Sequence, residues 1–402
     1  MKKITDQDWF KNPACQKILS VLAQKGTEAR FIGGCVRDAL LGKAVHDIDI
    51  ATPELPKTVM KLFQAEGIKV IPTGIDHGTV TVIYEGQQFE ITTLRADIST
   101  DGRRAVVSFS TDWLEDAKRR DFTFNALSLD RHGELYDPFN GLKDLKEGRV
   151  LFIGQAEQRI AEDYLRLLRF FRFSAHYGKG AAEPAGLQAC AKLAEGLKQL
   201  SGERIAQEIL RLLEAPQAPK WVRLMVKQGV LEKIIPHVAD LHFLEMMCAF
   251  EERPDPLRRL AIIVRADQGD VEQLAKTLRL SKAQAKRLRL ARCPELQLNP
   301  QKGENHLREM LYRYGVQAVE DQLFIYWAEK GFSGLGPREQ ACLDVITTWK
   351  VEPQAFPLKG QDLIDRGLKA GPELGQRLKE IEDWWCEQGC RAQKEACLER
   401  LA

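Results

Sequence analysis

The sequence predicts an α+β fold, a head with a mixed antiparallel sheet followed by an elongated all-α region, and three observations carry that prediction. Before about residue 145, segments such as Thr79–Tyr84 and Phe89–Leu94 alternate apolar and polar side chains at the period of a strand. Beyond it, apolar residues recur at helical spacing with few β-branched runs. The chain has 402 residues, 44% of them apolar, enough for several packed domains, and neither a fixed-period repeat nor a low-complexity linker interrupts it.

A first helix is expected from Pro13, suited to a first helical turn, to Gly26, suited to a C-terminal cap. Ala29–Gly42 reads as a strand, a glycine turn and a short helix, and Val45–Ile50 as a second strand. Thr79–Tyr84 and Phe89–Leu94 form an antiparallel hairpin around Glu85-Gly86. The helical region subdivides near residues 215 and 300. Met1–Asp8 has two lysines but no following apolar run, and no segment approaches the ~18 apolar residues of a membrane span, so a cytoplasmic location is expected. Nine cysteines without paired spacing read as reduced thiols, and the cluster Cys386, Cys390 and Cys397 as structural rather than zinc-binding. With 59 basic and 57 acidic residues, the net charge of +2 is silent on nucleic acid, and local charge must decide.

The chemistry starts at the glycine turn. Gly33 and Gly34 let the backbone approach a triphosphate, the helix start offers unpaired N–H groups, and Arg37 adds a cationic fork. A Gly-Gly pair alone equally suits a plain tight turn. The next strand changes the balance: in Val45-His-Asp-Ile-Asp-Ile50, Asp47 and Asp49 stand two residues apart and therefore share a face, their Cα atoms roughly 6 to 7 Å apart. Ile48 and Ile50 pack on the other face, so two acids project from a strand anchored behind them. Two hard divalent ions about 3.5 to 4 Å apart need a further carboxylate. Glu90, between Phe89 and Ile91 on the hairpin strand, is the candidate, with a surface strand glutamate as the competing reading.

At Gly33-Gly-Cys-Val-Arg-Asp38 followed by Asp47-Ile-Asp-Ile-Ala-Thr52, the sequence resembles the class II CCA-adding tRNA nucleotidyltransferases, relatives of bacterial poly(A) polymerases with a polymerase-β-like head. Lys118–Ala126 resembles that family's ribose-recognition motif, which implies that Arg120, Asp121 and Asn125 contact sugar and phosphates. Asp137–Leu145 resembles its hinge motif, with Asn140 where the family often has a second glycine. Glu162–Phe173 resembles its base-selecting motif, Ser201–Glu208 its helix-supporting one, and Leu358–Trp385 more weakly its tail. The resemblance implies a catalytic head over 1–145, a base-selecting neck over 146–215, a helical body over 216–300 and a tRNA-binding tail over 301–402. It implies Mg2+ as cofactor, CTP and ATP as substrates, and the 3′ end and acceptor arm of tRNA as partner.

Apolar side chains cover so much of the helix carrying Leu165–Phe173 that the stripe Asp163, Arg166, Arg169 and Arg172 needs a polar partner. Spacing alone leaves an internal Asp163–Arg166 pair, with Glu162 on another arginine, level with nucleotide binding; the resemblance favours nucleotide. Asp163 only accepts and Arg166 only donates, so together they match the amine and ring acceptor of cytosine or adenine. Uracil and guanine set acceptor against acceptor, and a buried unsatisfied group costs about 1 to 3 kcal/mol. Base choice then needs no nucleic-acid template.

Further on, Leu278–Arg292 is a basic amphipathic helix with Ser281 as N-cap, suited either to phosphate or to a solvated face. Arg308, Arg313 and Lys359 extend the basic composition, and Gly360, Gly367, Gly371 and Gly375 suit helix caps or a close RNA backbone. Truncation after residue 300 is expected to weaken tRNA binding and spare triphosphate binding. The alternatives are a poly(A) polymerase, a partial CC- or A-adding enzyme, and a catalytically silent RNA-binding protein. CC-adding relatives tend to have the stretch from Asp97 to Phe109 shortened, so its full length here implies, through the resemblance, complete CCA addition rather than CC addition; intact Asp47, Asp49 and Glu90 disfavour the silent reading, and the histidines lack the pattern of an appended phosphohydrolase.

Overall fold

A computed structural model describes residues 4–101, 104–235, 237–264, 268–293, 296 and 298–401, with the backbone alone at 97–101, 104–107 and 268. The chain divides into two compact units, Met1–Leu200 with Leu224–Lys233, and Ser201–Arg223 with Ile234–Ala402.

In the first unit, α1 (Asp8–Lys11) leads into α2 (Pro13–Leu22), whose start is fixed by Pro13 and by the Asn12 side chain accepting the Ala14 N–H. A tighter turn over Ala23–Lys25 completes the expected helix and ends at Gly26, whose φ of 75° suits a residue without Cβ. Then come β1 (Arg30–Ile32), α3 (Gly34–Leu40), β2 (Ile48–Thr52), α4 (Pro56–Ala65), β3 (Lys69–Gly74), β4 (Thr79–Tyr84) and β5 (Gln87–Thr93). The β4–β5 hairpin turns at Glu85 and Gly86, both at positive φ, the two-residue geometry that matches strand twist. Next are β6 (Arg95–Asp101), β7 (Arg104–Phe109), α5 (Trp113–Lys118), β8 (Ser128–Leu129), β9 (Leu135–Tyr136), α6 (Gly141–Glu147), α7 (Ala156–Glu162), α8 (Leu165–Tyr177) and α9 (Pro184–Lys192). The stretch from Asp97 to Phe109 belongs to β6 and β7, which pair antiparallel from Arg95↔Phe109 to Asp101↔Arg104; Gly102 and Arg103 lie outside the described residues.

Seven strands form one mixed sheet in the order β3-β4-β5-β2-β1-β8-β9. All neighbours are antiparallel except β2 and β5, which run parallel. One face is apolar: Phe31, Ile50, Val80, Val82, Phe89 and Ile91 are buried, and α4 packs against β3, β4 and α2. A second core joins Phe122 and Phe124 to Phe152, Phe170 and Phe173, with ring centroids 4.8 to 6.5 Å apart. Each such ring contributes about 1.5 to 3 kcal/mol on burial. This core fastens α8 to the segment that follows Asp121.

The second unit is helical, from Gly202–Leu213 to Lys394–Leu398, and its described residues contain no strand. The basic helix runs Lys282–Ala291, with Ser281 and Gln284 in a reciprocal capping box, while Arg279 at φ 47° separates Leu278 from it. Its Arg287 turns inward, bonding Asp255 and the fully buried Asp321, and Arg292 pairs with Glu329. Arg308 pairs with Glu304, and Arg313 with Glu309 and Asp383, so these arginines are engaged within the fold; Lys359 is exposed. Gly367 follows a short helix, Gly371 precedes the helix Pro372–Glu387 and Gly375 lies inside it. All nine cysteines are free thiols, and Cys386, Cys390 and Cys397 are buried.

Candidate active site

Strand register assembles the acidic centre. The parallel ladder of β2 with β5 sets Asp49 beside Glu90, on the face opposite Ile50, Phe89 and Ile91, while β1 ends at the Ile32↔Asp49 pair. Asp47 therefore lies one residue before β2 rather than on it: the β1 ladder stops where the chain turns at Gly33, and Asp47 stands exposed beyond it. Burial pushes the half-buried Asp49 up to about 6, Glu90 and Asp47 add repulsion, and Arg120 opposes them. Negative charge is thus gathered where a cation would relieve it. Among the described residues no three His, Cys, Asp or Glu side chains converge tightly enough to hold a metal alone. The donor set is all oxygen, which fits a hard divalent ion that takes its remaining ligands from water and substrate phosphates.

Against these acids lies the glycine turn. Gly33 has φ 68° and ψ −124°, a combination that a Cβ disfavours, and a Cβ there would sit 3.8 Å from both Arg120 Nη1 and Asp49 Oδ2. At Gly34 it would sit 3.7 Å from Arg37 Nη2. Two guanidinium groups and one carboxylate therefore border the turn. Arg37 is bonded through Nε and Nη2 to Asp38 and through Nη1 to Asn125 Oδ1, each at 3.0 Å. Asn125 Nδ2 donates to Asp121 Oδ1 at 2.9 Å, and Asp121 Oδ2 accepts from Arg169 Nε at 2.6 Å. Arg37, Asn125, Asp121 and Arg169 form one polar chain from the turn to α8. Burial pushes Asp121 upward, but Arg169, Asn125 and the Phe122 N–H together hold it below the usual carboxylate range.

The stripe expected on a single helix is broken. Glu162 ends α7, and Asp163 is extended, at φ −152° and ψ 106°, with Oδ1 accepting the Leu165 N–H at 3.1 Å. An aspartate whose side chain takes a backbone N–H two residues on offers the chain an alternative to helix, and that stops α7 and starts α8. Arg166 takes Glu162 as its ion-pair partner at 2.6 Å and also donates to the carbonyls of Arg159 and Arg119, at 2.9 and 3.0 Å. Arg172 is buried, its guanidinium 4.1 Å from the Phe173 ring centroid.

Sequence reasoning missed three participants. Asp116 holds Arg119 and Arg120 at 2.6 and 3.0 Å and accepts the Arg95 N–H; its i,i+3 and i,i+4 spacing was the available signal. Asp38 grips Arg37, and Tyr177 bonds Asp38 from α8, a contact across 139 residues that no local pattern reveals. Asn140, where the resemblance anticipates glycine, adopts the left-handed conformation (φ 58°) that asparagine tolerates. Asp137 caps the following helix through the N–H groups of Gly141 and Leu142.

Carboxylates on adjacent parallel strands, beside a glycine turn flanked by arginines, on a mixed sheet with helical domains after it, define a nucleotidyltransferase with a polymerase-β-like head. A sequence profile described as "Poly A polymerase head domain" matches residues 29–151, and one described as "Probable RNA and SrmB- binding site of polymerase A" matches 182–241. The chain is 36% identical over 385 residues to the CCA tRNA nucleotidyltransferase 1, mitochondrial, of Danio rerio, covering 93% of this chain and 87% of that one. It is 33% identical over 370 residues to the CCA-adding enzyme of Lactobacillus delbrueckii subsp. bulgaricus, covering 90% of each. The crystal structure of the Bacillus stearothermophilus CCA-adding enzyme in complex with CTP superposes with a TM-score of 0.78 at 27% identity, covering 100% of this chain and 98% of that one. The chain belongs to the family of CCA-adding tRNA nucleotidyltransferases. Dependence on divalent metal comes with that family.

Proposed function

We propose that this enzyme adds CCA to tRNA 3′ ends from CTP and ATP, with Asp47 and Asp49 holding two Mg2+ ions and Glu90 completing the acidic centre. The observation that supports the reading most is the register that sets Asp49 beside Glu90 and against Gly33 and Arg120. The backbone at Gly33 and Gly34 and the guanidinium of Arg37 receive the triphosphate. Arg120, Asp121 and Asn125 bound the ribose, fixed by Asp116 and Arg169. Asp163 and Arg166 read the base edge; Arg166 is oriented in advance by Glu162 and two carbonyls, so its direction is set before nucleotide arrives. Arg169 and Arg172 back this edge from the same helix. The RNA 3′ hydroxyl attacks the α-phosphate in line, and pyrophosphate leaves. When bound, the metal ions lower the pKa of that hydroxyl and stabilise the charge on the leaving group.

The domain roles accord with the same reading, with the catalytic head at 1–145, base selection at 146–215, the body at 216–300 and tRNA contact at 301–402. We place the enzyme in the cytoplasm, a reducing compartment consistent with nine free thiols; the Danio rerio relative is named mitochondrial, and imaging the tagged full-length protein distinguishes the two. Asp47→Ala and Asp49→Ala test the catalytic assignment. Incorporation of labelled CMP and AMP is expected to fall at least about 1,000-fold while the far-ultraviolet spectrum is unchanged, because Asp49 lies opposite the apolar face and Asp47 is exposed. Full activity in a folded Asp49→Ala protein would remove the acidic centre from the mechanism.

A further inference from the structure

Tyr177, the last residue of α8, lies outside every motif that the sequence singles out. Its hydroxyl donates to Asp38 Oδ1 at 2.9 Å, and Asp38 in turn holds Arg37 through two bonds of 3.0 Å. The same phenol ring lies under two cations: its centroid is 4.6 Å from the Arg37 guanidinium carbon and 4.3 Å from Lys43 Nζ. Phe173, one helical turn earlier, lies 5.2 Å from Arg37. Burial pushes the phenol up to about 12 against the opposing pull of Arg37, so the oxygen keeps its proton and acts as a donor.

We propose that Tyr177 is a positioning residue for the triphosphate, acting on Arg37 through Asp38 and through its ring face; this rests on the reading that Arg37 receives the triphosphate. Asn125 Oδ1 accepts from Arg37 Nη1, but the Asp38 carboxylate that takes Nε and Nη2 can turn together with the guanidinium unless something else holds it. The hydroxyl fixes the carboxylate plane, and the ring fixes the guanidinium plane. Arg37 is then aimed at Gly34 rather than swinging with Asp38. Because Tyr177 ends the helix that begins beside Asp163, one rigid element touches both the base edge and the triphosphate arginine. The effect of Tyr177 is therefore on phosphate binding and is the same for both nucleotides.

The test is steady-state kinetics of Tyr177→Phe, Arg37→Ala and the double variant, with CTP and with ATP varied in turn. Tyr177→Phe is expected to raise KM for both nucleotides by roughly 3- to 10-fold, the scale of one ordinary hydrogen bond felt indirectly through Asp38, and to leave kcat and the tRNA KM within about twofold. In the Arg37→Ala background the same change is expected to add nothing. KM does not depend on the fraction of active molecules, so partial loss of folded protein leaves the reading intact. If Tyr177→Phe leaves both nucleotide KM values unchanged while Arg37→Ala raises them, the positioning role is overturned and the triphosphate role of Arg37 stands. An effect confined to one nucleotide, or one that adds fully to Arg37→Ala, also overturns it. If Arg37→Ala leaves both KM values unchanged, the triphosphate reading falls and the inference with it.

Discussion

Asp163 meets two demands at once: its Oδ1 takes the Leu165 N–H that opens α8, and the proposed base reading needs the same carboxylate as an acceptor. Truncation to alanine removes both, at a cost of about 0.5 to 2 kcal/mol for the cap alone. Asp163→Asn separates them, because an amide oxygen still caps while its NH2 group donates. That variant is expected to melt within a few degrees of the parent yet to incorporate UMP or GMP at least about 5-fold more often; unchanged CTP and ATP preference would remove Asp163 from base selection. Asp116 and Asp121 are both held below the usual carboxylate range against the effect of burial, Asp116 by Arg120 and Arg119, and Asp121 by Arg169, Asn125 and the Phe122 N–H. Their stabilising contribution is complete above the unfolded value of about 4 and is lost as pH falls through the lower folded values. Thermal melting from neutral to acid pH is expected to show this loss, and Asp116→Asn to flatten it. At this scale the shared face of Asp49 and Glu90 was readable, because a strand period of two sets both opposite their apolar neighbours, whereas Asp47, expected on the strand, lies one residue before it. Tyr177 and Asp38 were not, since their meeting depends on where the far end of α8 lands.

Among the elements, the break between α7 and α8 was hidden by its own composition: Glu162, Asp163 and Tyr164 carry no glycine or proline, and the Asp163 side chain takes the Leu165 N–H where the backbone turns. The segment from Asp137 to Leu145 is a second case of local chemistry settling an element. A Cβ on Gly141 would lie 2.3 Å from the Thr123 carbonyl oxygen, so α6 rests directly on the backbone that presents Asn125. Gly141→Ala is expected to destabilise by about 1 to 3 kcal/mol and to raise nucleotide KM, readable by melting and by kinetics. In the helical unit, Asp321 is fully buried between Arg258 and Arg287. Its replacement by alanine leaves a buried guanidinium without that partner and is expected to cost about 3 to 5 kcal/mol by denaturant unfolding. The sequence shows the basic helix that supplies Arg287, but charge composition does not reveal which of its cations turn inward.

Across the molecule, the change from a strand-bearing head to a helical remainder was legible because hydrophobic period changes near residue 145, and Ser281 and Gly26 mark their helix ends as capping chemistry requires. The RNA-facing surface was not. Arg287, Arg292, Arg308 and Arg313 are all engaged by acids of the fold, which leaves exposed lysines such as Lys282 and Lys286 as the better candidates for phosphate contact. Truncation after residue 300 also removes Asp321 and so confuses binding with folding. Lys282→Glu with Lys286→Glu is the cleaner test, expected to weaken tRNA binding and to reduce its salt dependence by about two charges while sparing the CTP KM. On the proposed reading, one enzyme builds a defined trinucleotide by protein-read base choice. Its most direct test is end sequencing of a tRNA lacking its last three nucleotides after incubation with enzyme and CTP, ATP or both. CTP alone is expected to yield ends in CC, and both nucleotides together to yield CCA and no further growth. A run of adenosines grown from ATP alone, or ends that never pass CC with both present, would contradict it.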